Sequence, residues 1–213
     1  MKRSLDLVLS LTALAILLPV FIPIMVVLRF TGEGEVFYLQ ERIGLGRKPF
    51  KIIKFATMLK DSPNLEGGDI TVDKDPRILP FGNFLRKTKI NELPQIFNVL
   101  FGSMSIVGPR PLTPRVFDLF GEDYKEVLDT VKPGITGLGS VAFRNEEELL
   151  SGANDHVQMY REKIVPRKTA LERYYRDHVG AWTDIKVILL TVIVVLLPSR
   201  DLSYTFFPDL PKP

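Results

Sequence analysis

The chain has 213 residues, of which 46% are hydrophobic and 25% charged, with a formal net charge of +3 and a mean hydropathy of +0.11. That suits one water-facing domain with a membrane element and excludes a multi-span protein. With no cysteine and only His156 and His178, a disulfide framework, a thiol nucleophile and a thiolate or histidine-rich metal site are ruled out. The mild basicity fits an anionic membrane surface or an anionic substrate. No recognition motif supports nucleic acid.

Leu5 to Leu28 read LDLVLSLTALAILLPVFIPIMVVL, polar only at Asp6, Ser10 and Thr12. A helix of about 22 residues rises roughly 33 Å, enough to cross the hydrocarbon of a bilayer. Pro19 and Pro23 lie inside it, so the carbonyls of Ala15 and Pro19 lose their usual helical partners. Both flanks are basic: Lys2 and Arg3 before, Arg29, Arg42, Arg47 and Lys48 after. A straight span would put one cluster outside, against the positive-inside rule. A helix that enters, bends at Pro19 and leaves on the same side satisfies both. The alternatives are a kinked single pass and a cleaved signal peptide. Against the latter, the run is too long and no small-x-small site follows.

Val36–Lys54 has strand composition, with Gly44 and Gly46 marking a hairpin turn. Asp61–Arg77 is polar and turn-rich, an expected surface loop of a length often tied to function. Ile78–Leu100 carries helical periodicity, closed by Gly102 as a C-cap. Pro109, Pro111 and Pro114 mark a rigid non-helical stretch. Helices are expected over Val116–Val131 and Met159–Val179, with a turn cluster at Lys132–Gly139 between them.

Trp182–Leu197 is a second apolar element, too short to span after Asp184 and Lys186. It reads as an interfacial helix with Trp182 at headgroup level, or else as a buried core helix or strand. The tail, rich in proline, is expected to be irregular. The resulting organisation is a membrane helix over 1–30, a cytosolic and interfacial catalytic domain over 31–200, and a tail over 201–213. The fold class is α+β: a mainly helical cytosolic domain with a short β-hairpin on a re-entrant membrane helix, plus interfacial amphipathic helices.

The chemistry concentrates in Phe84–Leu112, FLRKTKINELPQIFNVLFGSMSIVGPRPL. Pro94 is tolerated in a first helical turn and Asn91 is a favoured N-cap, so a helix is expected from Asn91 to Gly102. Leu93, Ile96, Phe97 and Leu100 would share its apolar face. Glu92 would then lie in the first turn, where free amides favour negative charge and can also hold phosphate. A cap plus a dipole-compensating acid explains these two residues without any function. Their surroundings favour more. Arg86, Lys87 and Lys89 lie just upstream, and Arg110 is held between Pro109 and Pro111, where a rigid guanidinium can clamp phosphate with paired hydrogen bonds. Asp73 and Asp75, with Arg77, offer hard oxygens suited to Mg²⁺, although spaced acids in loops are commonly just solvated. Lys132 and Arg144 flank the second turn cluster and could meet a diphosphate, or simply face solvent.

These segments in order resemble one family. The apolar N-terminus with Pro19, QERIGLGRKPFKIIKF, Asp75-Pro76-Arg77, RKTKINELPQIFNVLFGSMSIVGPRPL, KPGITG and Asp184-Ile185-Lys186 are similar to the bacterial sugar transferases, small monotopic phosphoglycosyl transferases that start lipid-linked glycan assembly. The resemblance implies a re-entrant helix kinked at Pro19, on the cytoplasmic face of the bacterial inner membrane. It implies Mg²⁺-dependent transfer of a phosphosugar from a UDP-sugar to polyprenyl phosphate, with release of UMP, as the first membrane step of capsule, exopolysaccharide, O-antigen or glycoprotein assembly. An oligomer is compatible with it. The family uses an Asp-Glu pair whose Asp is the covalent nucleophile. Here the pair is Asn91-Glu92, and a neutral carboxamide is no substitute for a carboxylate in attack on phosphorus. Three routes follow. Glu92 attacks, the lipid phosphate attacks directly with Glu92 holding the metal, or the chain is a catalytically silent membrane scaffold.

The expected site therefore comprises Glu92 and Asn91 for catalysis and metal, Asp75 as a further metal ligand, and Arg86, Arg110, Lys54, Arg77 and Arg144 for phosphate. Two further departures stand out: Ala56 where the family carries a basic residue, and Lys132 where an Arg is common, which keeps the charge but loses the fork.

Overall fold

The computed structural model describes residues 2–62, 75–146, 156–197 and 202–212. Most of the expected Asp61–Arg77 loop, including Asp73, lies outside the described residues.

Helix α1 (Lys2–Phe30) continues through Pro19 and Pro23 for 29 residues, about 43 Å if straight. It is long and apolar enough to cross a membrane. Its two ends both rest on the rest of the molecule. At the start, Lys2 Nζ donates to Asp184 Oδ2 (2.6 Å), the Tyr175 hydroxyl (2.9 Å) and the Val107 carbonyl (3.0 Å). Asp6, buried in an otherwise apolar run, accepts from the Ser105 hydroxyl and the Ile106 amide, both at 2.9 Å. At the far end Phe21, Ile24 and Leu28 pack with Phe55, Leu85 and Ile96. The middle exposes Leu11, Ile16 and Leu18.

Strands β1 (Phe37–Ile43) and β2 (Pro49–Phe55) form the expected antiparallel hairpin, pairing Tyr38 with Lys54 and Gln40 with Ile52. Its turn is a 3₁₀ turn, Leu45–Arg47, with Gly46 at φ 65°. The helix expected over Ile78–Leu100 is broken. α2 (Pro80–Lys87) ends before Lys89, which takes a left-handed φ of 58°. The 3₁₀ turn Ile90–Glu92 and α3 (Gln95–Phe101) follow. Asn91 is thus not a helix N-cap, and Glu92 precedes α3. Pro94 caps α3, as its missing amide hydrogen costs nothing there. Gly102 closes α3 at φ 89°, as the residue type requires.

A second sheet is absent from the sequence expectation. β3 (Ser105–Val107) pairs in parallel with β4 (Gly134–Thr136), inside the presumed turn cluster. Three-residue strands leave too short an alternation to read. Gly121 divides the helix expected over Val116–Val131 into α4 (Pro114–Phe117) and α5 (Glu122–Thr130). α6 (Leu138–Ala142) follows β4. α7 (His156–Met159), a π turn over Tyr160–Ile164 and α8 (Val165–Asp177) make the next helical run, the π turn falling just before Pro166.

α9 (Ala181–Leu196) confirms a helix over the second apolar element. It buries Val187 and Leu190 while exposing Trp182, Leu189, Val192 and Leu196. The tail is not irregular: α10 (Ser203–Phe206) precedes Phe207 and Leu210, both 4% exposed in the core formed by Val107, Val127, Leu171, Tyr175 and Val187. Burial of two large apolar side chains outweighs the turn-forming prolines around them.

Candidate active site

Lys54, Glu92 and Arg110 come from three separated parts of the chain and meet. Lys54 lies near the end of β2, Glu92 ends the 3₁₀ turn, and Arg110 follows β3. Lys54 Nζ donates to Glu92 Oε1 at 3.3 Å. Arg110 Nη2 reaches the same oxygen at 3.0 Å and Nη1 reaches Oε2 at 3.5 Å. Burial acts to raise the Glu92 pKa, but the two cations overcome it and hold the carboxyl well below the ordinary carboxylate range. Burial pushes the Lys54 ammonium down to about 8, opposed by Glu92 and reinforced by Arg110 and Arg42.

Arg110 is the open side of this cluster, its side chain 46% exposed, between buried Pro109 and Pro111. The rigidity expected from the prolines is reinforced by hydrogen bonds to three successive carbonyls. Pro109 accepts from the Gly134 amide (2.8 Å), Arg110 from the Tyr124 hydroxyl (3.5 Å) and Pro111 from Arg42 Nη1 (3.2 Å). Gly108 permits this approach: a Cβ there would lie 2.2 Å from the Lys132 carbonyl oxygen. Tyr124 and Arg42 were not legible as site-builders, since both act through backbone atoms remote in sequence.

Asn91 precedes Glu92 in the 3₁₀ turn, is 7% exposed, and its buried Oδ1 has no hydrogen-bond partner among the described residues. Such an orphaned acceptor in a native site asks for a donor or a cation. Mg²⁺ needs one or two protein oxygens when water and substrate phosphates complete its shell. The Glu92 carboxylate and Asn91 Oδ1 fit that requirement. Among the described residues no group of three or more His, Cys, Asp or Glu side chains gathers.

The other expected residues are placed elsewhere. Asp75 and Arg77 bind each other, with Nη2 to Oδ2 at 2.6 Å and both residues buried, and Arg77 also donates to the Ser62 carbonyl. The two charges meet each other next to the β-bridge between Met58 and Ile78. Arg144 donates to the Val194 carbonyl on α9 and is no part of the Glu92 cluster. Arg86 is half-buried on the last turn of α2, with Nη1 3.6 Å from Met58 Sδ.

Comparison with known proteins places the chain in a family. The bacterial sugar transferase family matches residues 1–198. The chain is 36% identical over 199 residues to a UDP-glucose:undecaprenyl-phosphate glucose-1-phosphate transferase of Escherichia coli, covering 90% of this chain and 39% of that protein. It is 30% identical over 202 residues to a UDP-N-acetylgalactosamine-undecaprenyl-phosphate N-acetylgalactosaminephosphotransferase of Aeromonas hydrophila, covering 92% and 43%. It is 36% identical over 210 residues to the exopolysaccharide production protein ExoY of Sinorhizobium fredii, covering 92% and 85%. The chain thus spans about two fifths of the first two relatives and most of the third.

Proposed function

The chain belongs to the bacterial sugar transferase family, and from that premise we propose that it transfers a phosphosugar from a UDP-sugar to polyprenyl phosphate, releasing UMP, as the first membrane step of glycan assembly. The observation that carries the reading is the meeting of Arg110, Lys54 and Glu92 beside an orphaned Asn91 oxygen. Transfer breaks the bond between the bridging oxygen of the diphosphate and the phosphorus that bears the sugar. UMP leaves with that oxygen and its electron pair. Arg110 and Lys54 are placed to hold the charge on the phosphoryl oxygens, the main demand of such a reaction. In the substrate-free site Glu92 occupies both cations, so an arriving diphosphate competes with it for them. Mg²⁺, when bound, would supply further charge neutralisation, with Glu92 and Asn91 as its protein oxygens.

Asn91 is no nucleophile, and Glu92 is ionised and partly accessible, its side chain 23% exposed. Glu92 is therefore the carboxylate available to attack. Direct attack by the lipid phosphate is the second reading, favoured by the engagement of Glu92 with two cations. Intact-protein mass spectrometry after mixing with UDP-sugar alone separates them. A phosphosugar adduct abolished by Glu92→Gln supports attack by Glu92; turnover without an adduct supports direct transfer. No UMP from a broad UDP-sugar panel, with lipid bound normally, would instead make the chain a silent scaffold.

The placement at the cytoplasmic face of the bacterial inner membrane rests on three features. Both ends of α1 dock on one domain, which supports same-side entry and exit. α1 and α9 expose apolar side chains. A cleft of about 570 Å³, lined by Leu18, Phe21, Phe37, Leu39, Ile53 and Phe97, suits an isoprenoid chain. The sugar differs among the relatives, and a UDP-sugar library read by UMP release would identify it here.

A further inference from the structure

Lys54 reaches Glu92 only because β2 is held in one place, and the hairpin alone does not hold it. Its sheet has two strands, so one edge of β2 has no strand beside it. A side chain from α3 takes up backbone groups along that edge. Asn98, 4% exposed on α3, accepts from the Ile53 amide through Oδ1 (2.9 Å) and donates through Nδ2 to the Lys51 carbonyl (2.8 Å). The carboxamide thus offers β2 the donor and acceptor that a neighbouring strand would have offered. Asn98 is itself held: Nδ2 also reaches Ser103 Oγ at 3.2 Å, and Ser103 Oγ donates back to the Asn98 carbonyl at 3.2 Å.

The next residue of α3 completes the grip. Val99 packs with Met104 around Ile52, all three buried. Ile52 and Lys54 lie on the same face of the strand by the two-residue repeat. The face that Val99 fixes is therefore the face from which Lys54 projects to Glu92, on the segment leading into α3. Arg110 and Arg42 are the other cations near Lys54.

We propose, resting on the reading of the site above, that Asn98 is a positioning residue for the transfer: it stands in for a missing strand along β2 and so sets Lys54 against Glu92. The variant Asn98→Asp keeps the shape and the acceptor but presents a second acceptor to the Lys51 carbonyl. Asn98→Ser is a milder second variant. Both are made in the full chain in membranes or detergent.

Two readouts follow. Without substrate, hydrogen exchange of the 49–55 segment and acylation of Lys54 by an amine-reactive ester should each rise by about tenfold, with the melting temperature lowered by only a few degrees. With substrates, kcat for UMP release should fall by about tenfold while KM for the UDP-sugar changes little. That loss should shrink below about twofold in a Lys54→Ala background, because the two residues would act as one unit. Folded variants with unchanged Lys54 acylation, or kcat losses that multiply in the double variant, would overturn the proposal. So would failure of both variants to fold, which would make Asn98 a folding determinant only. If the parent protein releases no UMP while Lys54 acylation still responds to Asn98, the positioning stands and the transfer reading falls.

Discussion

Arg110 addresses Glu92 as a fork, one guanidinium nitrogen to each carboxylate oxygen at 3.0 and 3.5 Å. A second cation, Lys54, shares Oε1. The geometry is that of a phosphate clamp closed on a resident carboxylate.

Removing the fork should remove most of the activity. Arg110→Ala is expected to lower kcat for UMP release by about 10²–10³. Arg110→Lys keeps the charge but has no second parallel donor, so it should recover only part of that loss. Steady-state UMP release over a range of UDP-sugar concentrations checks both.

Restoring a carboxylate at the neighbouring position tests how far the site has diverged. Asn91→Asp should preserve or raise UMP release, and should yield a phosphosugar adduct by mass spectrometry. Complete loss of turnover in a folded variant would show that the backbone there no longer presents residue 91 to phosphorus.

Lys54 gives activity and stability opposite pH dependences. Its ammonium, lowered to about 8 by burial, loses its charge above that pH, and UMP release should fall accordingly. Lys54→Arg should abolish that alkaline limb if it turns over, since a guanidinium stays charged. Stability runs the other way. Between about 8 and the ordinary 10.5 the unfolded chain binds more protons than the folded one, so folding becomes more favourable as pH rises through that window. Rate profiles and thermal melts across the same buffers would show the divergence.

Glu172 should behave as a buried acid with no catalytic duty. It is 2% exposed on α8, Oε1 accepts from the Gly139 amide at 3.1 Å, and Oε2 has no partner. Burial pushes its carboxyl up to about 7, against the pull of the Gly139 amide and Lys168. Between about 4.5 and 7 the folded state binds more protons, so stability falls as pH rises and the cost is complete above 7, at roughly 3 kcal/mol. Glu172→Gln should therefore melt above the parent at pH 8, with the difference vanishing towards pH 4 in differential scanning calorimetry.

Much of this was legible in the residues themselves. The apolar α1, the hairpin turn at Gly44–Gly46, the C-cap at Gly102 and the proline-held Arg110 each follow from local chemistry. Local chemistry and the family resemblance point to Lys54, Glu92 and Arg110; that they meet is visible only in the structure. What escaped was set by distant partners. β3 and β4 are three residues each and exist only as a pair. Sequence does not show that Asp75 and Arg77 pair with each other, 2.6 Å apart. Asn98 is one polar residue in a largely apolar helix, and its meaning lies in a strand edge 45 residues upstream.

The contact between Lys2 and Asp184 joins residues 182 positions apart. Loss of the Asp184 carboxylate would leave the Lys2 ammonium with the Tyr175 hydroxyl and the Val107 carbonyl but no counterion in this contact. The seat of the start of α1 is thus completed only once α9 is in place, a long-range closure of the fold.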